Sequence, residues 1–158
     1  MNYQEYMIDA TKKAAAEAFR YAKAVPADKL EWKPTDDNRA ILDLTRELAM
    51  CPIWAVQIIG SDTPPDWSEE AQAAQKAEME KMKTVAECEA QCNSNLDKLS
   101  ELFGTITDEQ LKNTKWLPFD GGRDFTVAEM MDYPRWNFNY HTGQFAYVQM
   151  MLGDKEMH

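Results

Sequence analysis

The sequence predicts an all-α fold, an up-down-type four-helix bundle, in a single domain spanning residues 1–158. Three observations carry that prediction. Four long segments repeat apolar residues at spacings of three and four, the signature of one buried helical face. Thr84-Val85-Ala86-Glu87 and Thr126-Val127-Ala128-Glu129 have the capping-box pattern that opens a helix. Almost no segment alternates with the period of two that a strand needs, and polar or proline-bearing connections separate the periodic segments. A chain of 158 residues with 44% hydrophobic and 11% aromatic content is long and apolar enough for one substantial core.

The first helix runs from about Tyr3 to Val25, with Tyr3, Tyr6, Met7, Ala10, Ala14, Ala18, Tyr21 and Val25 on one stripe, and Pro26 ends it. Ala27 to Leu30 forms one turn, and a polar connection follows. Asp37 or Asn38 is placed to cap a second helix from about Arg39 to Ile59, whose inner face is Ile41, Leu44, Leu48, Cys51, Ala55 and Ile58. Pro52 lies inside it and removes one backbone hydrogen bond. Residues 60–66, rich in Gly, Ser, Asp and Pro, are a break. Residues 68–83 carry few large apolar side chains and read as a peripheral helix or a connection.

The next helix buries Val85, Cys88, Cys92, Leu96, Leu99 and Phe103 and stops near Gly104. Thr107 to Gln110 opens a short helix. Residues 115–125, with Pro118 and the Gly121-Gly122 pair, read as a loop holding at most a short extended piece. The last helix runs from Val127 to about Leu152 and stops at Gly153.

A formal charge of −10 with no Lys/Arg cluster argues against a nucleic-acid partner and against an anionic membrane surface. No apolar run approaches the roughly 20 residues a membrane span needs, and no secretory signal is visible. Cys51, Cys88 and Cys92 do not form a disulfide framework. A reduced, cytoplasmic protein is the expectation. Cys88 and Cys92 share the apolar stripe and read as small buried hydrophobes.

The candidate chemistry lies on the last helix. His141 is the one histidine apart from the terminal His158, and Asn137 lies one turn before it on the same face. That face reads Val127, Met130, Pro134, Asn137, His141, Gln144, Val148 and Met151. Buried polar groups need partners: a metal, a water network or polar groups of a neighbouring helix. Glu47, beside Leu44, Leu48 and Cys51, is such a group, and a carboxylate there is costly unless paired or coordinating. Glu47 and His141 as a general-base pair would need no metal. A core histidine hydrogen-bonded to Glu47 is the plainer alternative. Trp54, Trp136 and Tyr140 line a small-molecule pocket or simply pack.

Residues 25–34 (VPADKLEWKP), Glu47-Leu48-Ala49, Thr107-Asp108-Glu109-Gln110-Leu111 and, most of all, His141-Thr142-Gly143-Gln144 occur in an order that resembles the DinB/YfiT-like four-helix-bundle family. The resemblance covers most of the chain. It implies a divalent metal, held in the family by three histidines: one on the second helix and two at i and i+4 on the last. Those positions here are Glu47, Asn137 and His141, so one histidine is retained. It also implies Lewis-acid activation of a thiol or water by Zn, Ni, Mn or Fe. The activity implied is that of a transferase or hydrolase acting on a small electrophile, with a low-molecular-weight thiol as a possible cosubstrate, in a homodimer. The alternative is a metal-free, non-catalytic small-molecule-binding or interaction protein that has lost the three-histidine site.

Overall fold

The computed structural model describes residues 1–63 and 65–158; Pro64, within the predicted break at 60–66, lies outside the described residues. Among the described residues five α-helices form: α1 (Tyr3–Ala24), α2 (Ile41–Gly60), α3 (Glu69–Met79), α4 (Val85–Thr105) and α5 (Val127–Met151). A two-stranded antiparallel hairpin, β1 (Thr114–Leu117) with β2 (Arg123–Thr126), precedes α5. The four long helices make the bundle, and most positions of their predicted stripes make its core; Tyr6, predicted on the α1 stripe, is half exposed, and Gln4 and Met7 on either side of it are buried. All six apolar positions predicted for α4 are buried, and Met7, Ala18, Leu48, Phe138 and Phe145 fill the centre. The short α3 buries none of its residues and lies at the periphery, and residues 80–83 connect it to α4. No described helix is long and apolar enough to cross a membrane.

Around the bundle, α1 packs on α5, α5 lies beside α2, and α2 packs on α4, which returns to α1. Consecutive helices α1 and α2 therefore sit diagonally and touch only sparingly. That arrangement brings the first half of α2 against the middle of α5. Polar side chains pin the seams by reaching backbone carbonyls of other elements. Asn95 Nδ2 donates to Ala49 O at 2.9 Å, and Gln149 Nε2 to Tyr21 O at 2.6 Å. Asn95 also accepts from Gln91 Nε2 at 3.2 Å, whereas the buried Gln149 Oε1 has no partner.

Besides Tyr6, four expectations are corrected. Neither Asp37 nor Asn38 caps α2, which starts at Ile41 with Ala40 at the cap position and no side-chain bond. Asn38 is spent on a turn: its side chain accepts from Thr35 Oγ1 at 2.9 Å and its N–H donates to Thr35 O at 3.1 Å. The orphan N–H of Leu42 is met by Leu30 O at 3.0 Å instead. Arg39 is consequently outside the helix, with a consequence for the site below.

The second correction concerns 115–125, which is a paired hairpin rather than a loop. Gly121 and Gly122 adopt φ of +82° and +85°, which glycine alone reaches without strain. A Cβ on Gly122 would come within 2.9 Å of the Trp116 ring. Lys115 of β1 caps the end of α2, its Nζ donating to Ile58 O and Ile59 O at 2.9 Å and to Ser61 O. The third is the short helix predicted from Thr107, which is a single 3-10 turn over Gln110–Lys112. The fourth is Met151, predicted to face inward but about half exposed, because the last turn of α5 runs past the core.

Candidate functional site

Glu47 lies on α2, and Asn137, His141 and Gln144 lie on the facing stripe of α5. Both helices run unbroken through their prolines, Pro52 and Pro134. His141 Nε2 stands 3.2 Å from Glu47 Oε1, and Asn137 Nδ2 donates to the same oxygen at 3.4 Å. His141 Nδ1 stands 2.6 Å from Gln144 Oε1. The structure thus brings together all three predicted site residues. His141 and Asn137 are buried, and the Glu47 side chain is 19% exposed.

Sequence reasoning missed Arg39. Its Nη1 bonds Glu47 Oε2, and its Nη2 donates to Asp43 O at 3.2 Å. No sequence signal marks this pair, because Arg39 precedes the helix, where helical spacing does not fix the direction of a side chain. Gln144, three residues after His141, was legible as part of the inward stripe.

Burial alone would raise the Glu47 carboxyl. Hydrogen bonds from His141 and Arg39, with the guanidinium charge, outweigh it and hold the pKa down to about 2. A carboxylate whose folded pKa lies below its unfolded value stabilises the fold above the unfolded pKa, and that contribution fades as pH falls toward 2. Glu47→Gln is therefore expected to narrow the stability gap to the unmodified protein, in urea titrations, as pH falls from about 4.5 to about 2. The gap to be lost is on the order of 2–3 kcal/mol. A gap independent of pH would remove Glu47 from the ionised cluster.

Beneath the pair lies Cys51. Burial, opposed by a hydrogen bond from Asn137 and aided by Glu47, pushes its thiol up to about 12. Burial likewise raises Cys88, to about 11, and Cys92. All three are fully buried free thiols, inert as nucleophiles at neutral pH. The Tyr133 phenol is pushed up by partial burial and by the charges of Cys51 and Glu47. Tyr133, Trp136 and Tyr140 stack successively at 6.0 and 5.3 Å between centroids, and the Tyr140 ring meets the His141 ring edge-on at 5.3 Å. Trp136 and Tyr140 stand on the outer face of α5, more than half exposed, rather than walling a pocket. The Trp54 indole N–H is buried without a partner, on the α2 stripe that carries Glu47 and Cys51.

Among the described residues, no three His, Cys, Asp or Glu side chains converge as a metal would require. Neither family models nor curated proteins match this chain by sequence. Solved structures do match by shape. YfiT from Bacillus subtilis, a probable metal-dependent hydrolase with an unusual four-helix bundle topology, superposes with a TM-score of 0.75 at 15% identity, covering 96% of this chain and 89% of that one. A mycothiol-dependent maleylpyruvate isomerase superposes at 0.71 and 12% identity, covering 92% of this chain and 63% of that one. The colibactin self-resistance protein ClbS, solved with double-stranded DNA, superposes at 0.67 and 14% identity, covering 93% and 95%. A DinB-like protein of Bacillus subtilis superposes at 0.65 and 11% identity over nearly the full length of both chains. Likeness at these identities speaks to architecture, and the architecture agrees with the residue pattern that closes on His141 and Gln144: the chain has the DinB/YfiT-like four-helix-bundle fold.

Proposed function

We propose that Glu47 and His141 form a proton-transfer pair serving the addition of an external thiol or water to a small electrophile, as in a transferase or hydrolase. The observation that carries this reading is that both ring nitrogens of His141 face oxygen acceptors. One proton on the neutral ring serves both contacts: on Nε2 it is donated to Glu47 Oε1 at 3.2 Å, and on Nδ1, toward Gln144 Oε1 at 2.6 Å, it leaves Nε2 as the base. The second arrangement sets two acceptors face to face, which calls for a proton between them. His141 Nε2 takes it from the attacking thiol or water as the new bond to the electrophile forms, and the imidazolium then donates to Glu47 Oε1. The proton is returned to the atom of the electrophile that gains the electron pair. Asn137 and Arg39 keep Glu47 ionised and oriented throughout. The nucleophile comes from outside the chain, since its three cysteines are buried thiols. The mycothiol dependence of one fold neighbour supports a thiol in that role.

The test is electrophile consumption, using 1-chloro-2,4-dinitrobenzene and an epoxide with cysteine or glutathione, and 4-nitrophenyl acetate with water. Acceleration over buffer that is lost in His141→Asn supports the reading. No acceleration with any of these, or equal rates in the variant, leaves a non-catalytic binding protein.

The metal that the resemblance implies would be held by Glu47, Asn137 and His141. That set offers one imidazole nitrogen, one carboxylate already paired to a guanidinium, and an amide that turns its N–H donor rather than its oxygen toward Glu47. We infer that it does not fit a tightly held divalent ion. The proton transfer above uses none.

The net charge of −10 keeps nucleic acid out of this proposal. For the homodimer we propose the outer face of α5. Tyr133, Trp136, Tyr140, Gly143, Tyr147 and Met150 recur there with heptad spacing, exposed and uncharged. On so acidic a chain, an uncharged stripe is where two copies approach with least repulsion. Trp136→Glu is expected to turn a dimer into a monomer in light scattering. A monomeric unmodified protein at the same concentration would refute the interface.

A further inference from the structure

Arg39 lies in none of the sequence motifs, yet its guanidinium bonds Glu47 directly. Its side chain is about half exposed, whereas that of Glu47 is 19% exposed. The guanidinium therefore sits on the solvent side of the carboxylate, bonded to Oε2, while Oε1 faces His141 and Asn137. Asp43 O anchors its second Nη at 3.2 Å, so the group is fixed at two points.

We infer that Arg39 is the resident cation of this site: its guanidinium occupies the electrostatic place beside Glu47 that a divalent ion would otherwise take, and the cluster is built to work without a metal. Glu47 carries one negative charge and Arg39 balances it. A dication at Oε1 would gain one carboxylate and face a fixed positive charge on the other oxygen of the same group. Within a part-buried pocket that repulsion is only partly screened. The donors agree with the charges. His141 Nε2 and Glu47 Oε1 are the two strong ligand atoms present, and Asn137 directs an N–H where a ligand needs a lone pair. Cys51, the nearest soft donor, is a buried thiol that already interacts with Asn137. A guanidinium also stays charged at any working pH, so Glu47 remains ionised without a metal. The inference holds whether or not the cluster is catalytic.

The experiment is metal binding by tag-free protein purified without chelator, with metal content by mass spectrometry and titration of Zn2+, Ni2+ and Mn2+ by calorimetry. The unmodified protein is expected to carry no stoichiometric metal. Arg39→Ala is expected to bind each ion at least tenfold more tightly, since the opposing charge is gone. Arg39→Lys keeps the charge and should behave as the unmodified protein does. Adding His141→Ala to Arg39→Ala should abolish the gain, placing the new ion at this site. Should Arg39→Ala fold poorly, Arg39→Gln is read in its place, because it keeps a polar side chain of intermediate length without the charge. Near-stoichiometric metal in the unmodified protein that disappears in His141→Ala would overturn the inference. So would Arg39→Ala or Arg39→Gln binding metal no more tightly than the unmodified protein. Neither result bears on whether electrophiles are consumed, which the rate assay reads separately.

Discussion

Replacing His141 with asparagine is expected to slow thiol- or water-dependent consumption of the electrophile by about 100-fold or more, with the bundle still folded. The size follows from what the imidazole alone supplies. Glu47 is held ionised with a pKa near 2, too weak a base to draw a proton from a thiol or water efficiently. Cys51 is a buried thiol, and Asn137 and Gln144 are amides that do not exchange protons at neutral pH. No other group at the cluster takes over the transfer. The asparagine amide falls where the imidazole Nδ1 stands, so it can keep the hydrogen bond to Gln144 Oε1 and fill part of the site with a polar group, while the proton-carrying Nε2 is gone. Glu47→Gln is expected to fall less far, since it leaves the imidazole in place and removes only the carboxylate charge beside it. The decisive readout is the pair of kcat/KM values with the melting temperature of each variant. If His141→Asn loses rate in proportion to lost folded protein, the histidine is structural.

Phe138→Ala is expected to cost about 3–5 kcal/mol of stability, the range for emptying a fully buried phenylalanine site. Phe138 is fully buried on α5, next to Asn137 and three residues before His141. Its ring helps to set how deep α5 sits in the bundle, and hence where the polar stripe meets Glu47. At 158 residues such a loss lowers the melting temperature by roughly 10 °C or more. Urea unfolding monitored by circular dichroism measures it. A loss below 1 kcal/mol would mean that α5 is held by its polar seams rather than by this core.

The contrast between these two residues shows how much of the molecule was legible in the sequence. The spans of the long helices follow from apolar spacing, and the starts of α4 and α5 from capping boxes, all of which act within one or two turns. Asn137, His141 and Gln144 share a face because helical geometry requires it. Phe138 and Phe145 were not singled out, although both are fully buried, because the polar stripe beside them drew the inward face off their side. The α5 core is therefore wider than a single row of residues. The capping box of α1, Asn2 with Glu5, was present in the sequence and overlooked.

What the sequence by itself determined is local: four amphipathic helices, their terminators, a charge that disfavours nucleic acid, and a histidine with two amides aimed the same way. These follow from a 3.6-residue repeat and from capping, which need no knowledge of the chain's path. The tertiary structure alone decided that α1 and α2 lie diagonally, that α2 and α5 meet at Glu47, and that residues 114–126 fold back as a hairpin whose Lys115 caps α2. It also decided the place of Arg39. The turn at Thr35–Asn38 delays the helix by two residues, and that delay leaves the guanidinium free to reach Glu47. A contact between a residue ahead of a helix and one two turns inside it depends on the route of the chain, which no periodicity records.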